Sequence, residues 1–197
     1  MTRSIQSMLT KAALALAATG SIIAISGCAP LVIGGAVAVV AMTEDRRSTG
    51  VFIDDENIEN RAILKVKSRF GSQVHINITS YNLHVLISGE VPTEAVRQQV
   101  EEEVRGIGKI TRIHNELVVG PLAGVIAVSN DTRLTGLVKT RFLEANRFQV
   151  NHVKVVTEAG VVFLMGIVRR AEADAASQLA STTSGVRSVV RLFEYLD

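Results

Sequence analysis

Two hydrophobic periods alternate along the C-terminal three quarters of this chain. Ala62, Val66 and Phe70 recur every four residues, which is the spacing of one buried helical stripe. Asp54, Asp55 or Asn57 can cap that helix and Gly71 ends it. Val74, Ile76 and Ile78 then alternate with polar residues, as do Leu83, Val85 and Ile87, predicting two strands with one buried face joined at Ser80-Tyr81-Asn82. Pro92-Thr93-Glu94 opens a second helix with Thr93 as cap. Val96, Val100, Val104 and Ile107 of this helix face the sheet, and Ile113, Leu117 and Val119 fit a third strand.

The same plan follows again. Val66-Lys67-Ser68-Arg69-Phe70 answers Val138-Lys139-Thr140-Arg141-Phe142, and Ile87-Ser88-Gly89-Glu90-Val91 answers Leu164-Met165-Gly166-Ile167-Val168. In the second copy Asp131 is the candidate cap, and Leu134, Val138 and Phe142 are the stripe. A hairpin turns at Glu158-Ala159-Gly160, where Gly160 supplies positive φ. A second helix runs from Ala171 to Thr183, and a closing strand from Arg187 to Tyr195. The expected fold is α+β: two tandem αββαβ modules, each a three-stranded mixed sheet packed by two helices. The boundaries are 50–120 and 130–197, with an apolar linker at 121–129 short enough to favour packing of one module on the other.

Upstream, an apolar run from Ala12 ends at Ile25-Ser26-Gly27-Cys28, behind Arg3 and Lys11 and before the first acidic residue. This resembles a lipobox, implying a signal peptide at 1–27, cleavage before Cys28 and acylation of that cysteine, the only one in the chain. An apolar tether spans 28–49. Its run from Ala29 to Met42 falls short of the roughly 18 residues that cross a bilayer, although leader and tether together would suffice were nothing cut at Cys28. With no Asp after Cys28, the outer membrane is the expected address, facing the periplasm. Removing Arg3 and Lys11 from the 21 basic residues leaves 19 against 19 acidic ones, so the mature chain is close to neutral. Nucleic acid is therefore excluded as a partner.

The glycines after the second strand of each copy (Gly89, Gly166) and after the second helix (Gly106, Gly185), with the closing Val/Ile-rich strand, resemble the BON domain. The resemblance covers essentially the whole mature chain. It implies a non-enzymatic envelope protein that binds anionic phospholipid through the first helix of its second module and supports envelope integrity. On a helical wheel Arg133, Leu137 and Arg141 form a stripe beside the core positions, an apolar residue between guanidinium groups, which suits phosphates and acyl-chain edges together. Arg133, Leu134, Leu137, Lys139, Arg141 and Arg147 are the candidate lipid-binding residues. Similar chains place an aromatic at the start of this helix. Here there is no tryptophan and Arg133 takes that place, leaving electrostatics to carry more of the affinity. The first module has Lys65 where the second has Leu137. The rival reading is a scaffold for other envelope proteins, in which Leu137 packs internally and lipid contact is incidental.

No catalytic constellation is present in the pattern. His75, His84, His114 and His152 are scattered over strand segments. His75 and His84 could face each other across the first hairpin, but without Cys or carboxylate spacing they make a poor metal site. Glu101-Glu102-Glu103 reads as a solvated helix face. No nucleophile has a His and Asp partner. No small-molecule substrate, metal or cofactor is expected beyond the diacylglycerol and acyl chain on Cys28.

Overall fold

The computed structural model describes residues 45–122 and 124–197. The leader, Cys28 and the tether up to residue 44 lie outside the described residues. Helix α1 spans Thr49–Phe70, β1 His75–Tyr81, β2 His84–Val91, α2 Glu94–Arg105 and β3 Arg112–Val119. The second module repeats this order as α3 Val125–Ala145, β4 Lys154–Glu158, β5 Val161–Val168, α4 Arg170–Ser181 and β6 Ser188–Tyr195. In each sheet the middle strand pairs antiparallel with its hairpin partner and parallel with the closing strand. The fold is thus α+β, two modules with mixed three-stranded sheets.

Both leading helices start earlier than their aspartates indicate. Ser48 caps α1 by accepting a hydrogen bond from Val51 N at 3.2 Å. Helix α3 begins after Gly124, so residues 125–129, expected in the linker, are helical and the connection shrinks to 120–124. The aspartates do other work. Asp55 is buried and accepts from the amides of Asn82 and Leu83, each at 2.8 Å. Asp131 is buried in the same way and accepts from Ala159 N and Gly160 N, each at 2.8 Å. Each carboxylate clamps the two-residue turn of its own hairpin. The first turn is Asn82-Leu83, both with positive φ, one residue beyond the expected Ser80-Tyr81-Asn82. The clamp holds even Leu83 in the left-handed region, which a β-branched or long apolar residue seldom adopts.

The strands were expected to bury one face; β2 and β5 bury both. Val85, Ile87 and Val91 pack under α1 and α2, and Val162, Leu164 and Val168 under α3 and α4. On the other side Tyr81 and Leu86 of the first sheet meet Val156, Phe163, Met165 and Leu192 of the second. The layers therefore run helix, sheet, sheet, helix. Burying Leu86, Phe163 and Met165 here contributes about 1.5–3 kcal/mol each. Polar links tie the margins: Lys154 Nζ to Glu59 Oε1 at 2.9 Å, Asn82 Nδ2 to Glu194 Oε1 at 2.9 Å, and Arg46 Nη1 to Ile167 O at 2.8 Å.

The repeated glycines have different reasons. A Cβ at Gly89 would lie 2.1 Å from His75 O, and one at Gly166 2.2 Å from His152 O, so the hairpin strands could not approach. At Gly185, with positive φ, a Cβ would meet Leu134 Cδ2 at 2.9 Å. Gly106 has ordinary φ, and a Cβ there would press on the flexible end of Lys65 while making ordinary contacts with the carbonyls of Glu102 and Glu103.

Candidate functional site

Helix α3 is anchored by Leu134, Val138 and Phe142, all fully buried. Leu134, named above among the lipid-binding candidates, is thereby removed from any surface: it packs against Gly185. One flank of the helix carries Ile126, Asn130, Arg133 and Leu137, at spacings of four, three and four residues that keep them in line. Ile126 is 87% exposed and Leu137 38% exposed. Arg133 Nη2 touches only Asn130 Oδ1, at 3.1 Å, among the hydrogen bonds of the described residues. Ile126, Ser129, Asn130 and Arg133 line an open depression on the surface.

The remaining candidates divide. Arg141 lies on the same flank, but its Nη1 donates to Leu179 O at 2.8 Å, Thr182 Oγ1 at 2.9 Å and Thr183 Oγ1 at 3.0 Å. It caps the C-terminal end of α4, where a cation is favourable, and only part of its guanidinium is left for a ligand. Arg147 is exposed and reaches Gln178 Oε1 at 3.4 Å. Lys139 stands two residues past Leu137, about 200° around the helix, and so belongs to the opposite flank. Ile126 was not legible as a site residue because the glycines and proline around Leu122 read as linker. The uninterrupted stretch Val125–Ser129, free of Gly and Pro, was the available signal.

The equivalent flank of α1 is chemically different. Lys65, in the place of Leu137, and Arg69, in the place of Arg141, both bind the Glu103 carboxylate of α2. These two cations hold the Glu103 carboxyl below its usual range, hydrogen bonding to Lys65 being the first cause. Leu179 stands on α4 where Glu103 stands on α2, as the pairing of buried Val104 with buried Ala180 fixes.

The histidines do not meet as expected. In the register of the first hairpin His75 pairs with Glu90 and His84 with Tyr81, at opposite ends. His84 lies beside His114 instead, ring centroids 6.2 Å apart, and burial lowers the pKa of both. A groove of about 330 Å³ runs between the modules, lined by His75, Thr79, Asp131, Lys154 and Glu158 among others. Among the described residues no helix is long and apolar enough to cross a membrane.

Comparison with known proteins places these features. The family model described as the BON domain matches residues 54–121 and 130–197. The chain is similar to the outer membrane lipoprotein DolP of Haemophilus influenzae, 36% identical over 193 residues that cover 97% of this chain and 98% of that one. It is also similar to the 21 kDa hemolysin of Actinobacillus pleuropneumoniae, 34% identical over 77% of this chain and 79% of that one. A third relative is the osmotically-inducible protein Y of Escherichia coli, 30% identical over 71% and 72%.

Proposed function

The chain belongs to the BON-domain family, and from that premise we propose that it meets anionic phospholipid through the Ile126–Arg133–Leu137 flank of α3, in support of envelope integrity. It is an envelope-associated, non-enzymatic lipoprotein of the outer membrane, like the relative it matches from end to end. In this proposal acylated Cys28 holds the chain at the periplasmic side. Arg133 pairs with lipid phosphate, while Ile126 and Leu137 lie at the acyl-chain edge.

The observation that carries the reading is the substitution pattern at equivalent positions. In the first module Lys65 and Arg69 are bound by Glu103, Arg61 is the exposed counterpart of Arg133, and Asp54 and Lys65 stand where the second module has Ile126 and Leu137. In the second the lysine is a leucine, the glutamate is Leu179, and Arg133 keeps its charge available. A basic residue near an anionic surface is worth about 1 kcal/mol, too little for residence by itself. An acyl chain supplies the second signal that stable attachment needs and raises the effective concentration of the flank at the surface.

Vesicle co-sedimentation tests this with chain lacking residues 1–28. Binding to phosphatidylglycerol vesicles, absent with phosphatidylcholine and falling with salt, is expected. Equal binding to both lipids, or no loss on Arg133→Glu, would reject it. The scaffold alternative has its own observation, the open edge strand β3, where Val118 and Val119 are 56% and 45% exposed.

A further inference from the structure

Sequence spacing gave no metal site, yet the fold assembles one set of ligands from three strands. His75 begins β1, Glu90 sits opposite it on β2, and Glu158 ends β4 of the other module. His75 Nδ1 is 2.8 Å from Glu90 Oε2 and 4.0 Å from Glu158 Oε1. Each group offers a ligand atom within 4.8 Å of the others. Both carboxylates are 8% exposed. Ser88 Oγ, also buried, lies 3.3 Å from Glu158 Oε2 and orients that carboxylate.

We propose that His75, Glu90 and Glu158 bind a divalent transition-metal cation of the Zn²⁺ class, which clips the first module to the second. Nitrogen and carboxylate ligands at about 2.0–2.2 Å from a tetrahedral ion stand about 3.3 Å from one another. The observed separations, 2.8 and 4.0 Å from His75 Nδ1, straddle that value. One imidazole with two carboxylates selects borderline ions of this class over Mg²⁺ or Ca²⁺, which prefer oxygen alone. The groove lined by His75 and Glu158 gives an entry path and space for a water as the remaining ligand.

The charges around the site favour the same occupant. Glu90 and Glu158 are both buried, so the contact brings two acids together in a desolvated place. The other charged residues lining the groove are committed: Lys154 binds Glu59, and Asp131 binds the β4–β5 turn amides. A bound cation would offset the repulsion that joining the modules creates.

The test is calorimetric titration of the full-length chain in detergent micelles with ZnCl₂, beside Glu158→Gln and His75→Gln. One equivalent should bind, and each variant should weaken binding by about tenfold or more. At a hundredfold excess over Kd, Zn²⁺ should raise the wild-type Tm by about 5–10 °C and leave the variants unmoved. The His75 ring ¹⁵N resonances of the wild type should shift on addition of Zn²⁺, a readout that needs no variant. Absence of binding, unchanged binding in either variant, unmoved His75 resonances, or equal affinity for Mg²⁺ would each overturn the proposal.

Discussion

Lys65 and Leu137 occupy the same place on equivalent helices, and their surroundings have diverged in step. Around Lys65 the acid is present, Glu103 taking both Lys65 and Arg69 while Arg61, at the place of Arg133, stays exposed. Around Leu137 the acid is gone, Arg141 turns inward to cap α4, and Arg133 with Ile126 is left to the outside. The cores beneath are alike: Val66 and Phe70 match Val138 and Phe142, all buried. A duplicated fold can thus keep its core in both copies while a handful of surface positions in one of them diverges.

The comparison can be broken most forcefully at the hairpin clamps. Asp55 accepts from Ser80 Oγ and Arg47 Nη1 as well as from the turn amides, whereas the bonds to Asp131 come from its turn amides. Asp55→Ala leaves buried Arg47 with Asp45 as its remaining carboxylate partner and strips Ser80 Oγ and two turn amides of their acceptor, and should cost about 3–5 kcal/mol in urea denaturation. Asp131→Ala should cost about 1–3 kcal/mol; equal losses would mean that the Arg47 network adds nothing.

Next in size is charge reversal on the second flank. Arg133→Glu removes one attraction and adds one repulsion, about 2 kcal/mol together, so partitioning to phosphatidylglycerol vesicles should fall about thirtyfold. The sharper experiment converts one module toward the other. Glu103→Leu frees Lys65 and Arg69 and should give the first module several-fold vesicle binding that survives Arg133→Glu. No gain would show that charge availability is not what separates the two copies.

The smallest effects concern two carboxylates at the module margins with opposite pH signs. Glu158 is raised by burial, so its contribution is most favourable below its unfolded value of 4.5 and is lost as pH rises through the folded value. In chelator, Glu158→Gln should therefore stabilise by about 1 kcal/mol at pH 7 and make no difference under acid conditions. Glu172 is lowered, chiefly by its hydrogen bond to Arg46. Its contribution is present above 4.5 and disappears as pH falls through the folded value, so Glu172→Gln should destabilise at pH 7 by about 0.5–1 kcal/mol. Thermal melts across pH 3–8 check both.

The repeat, element order and helix cores were legible because period and glycine placement are local properties. Val66 and Val138 announce their burial by spacing alone. The double burial of β2 and β5 was not legible, since Leu86 and Phe163 read equally well as residues of a strand buried on one face with an apolar neighbour beyond it. Nor was the role of Asp55 and Asp131: an aspartate near a helix start looks like a cap whether it bonds its own helix or a turn 27 residues away. Exposed Arg133 and Leu137 and the buried stripe of Leu134, Val138 and Phe142 were found by periodicity, whereas the inward turn of Arg141 depends on α4, which a helical wheel does not contain.

The stacked sheets also bear on how the chain comes into being. As the chain is made the first module emerges ahead of the second, and its Leu86 lacks the cover of the second sheet until β4, β5 and β6 arrive. Each newly delivered molecule therefore passes through an interval in which a half-finished sheet is open to its neighbours. The same apolar contact makes the halves hard to part: a protease nick in the short 120–124 loop should leave two fragments that still migrate as one particle. The two copies that the repeat reveals are, in the life of the molecule, a single object that is most vulnerable while half made.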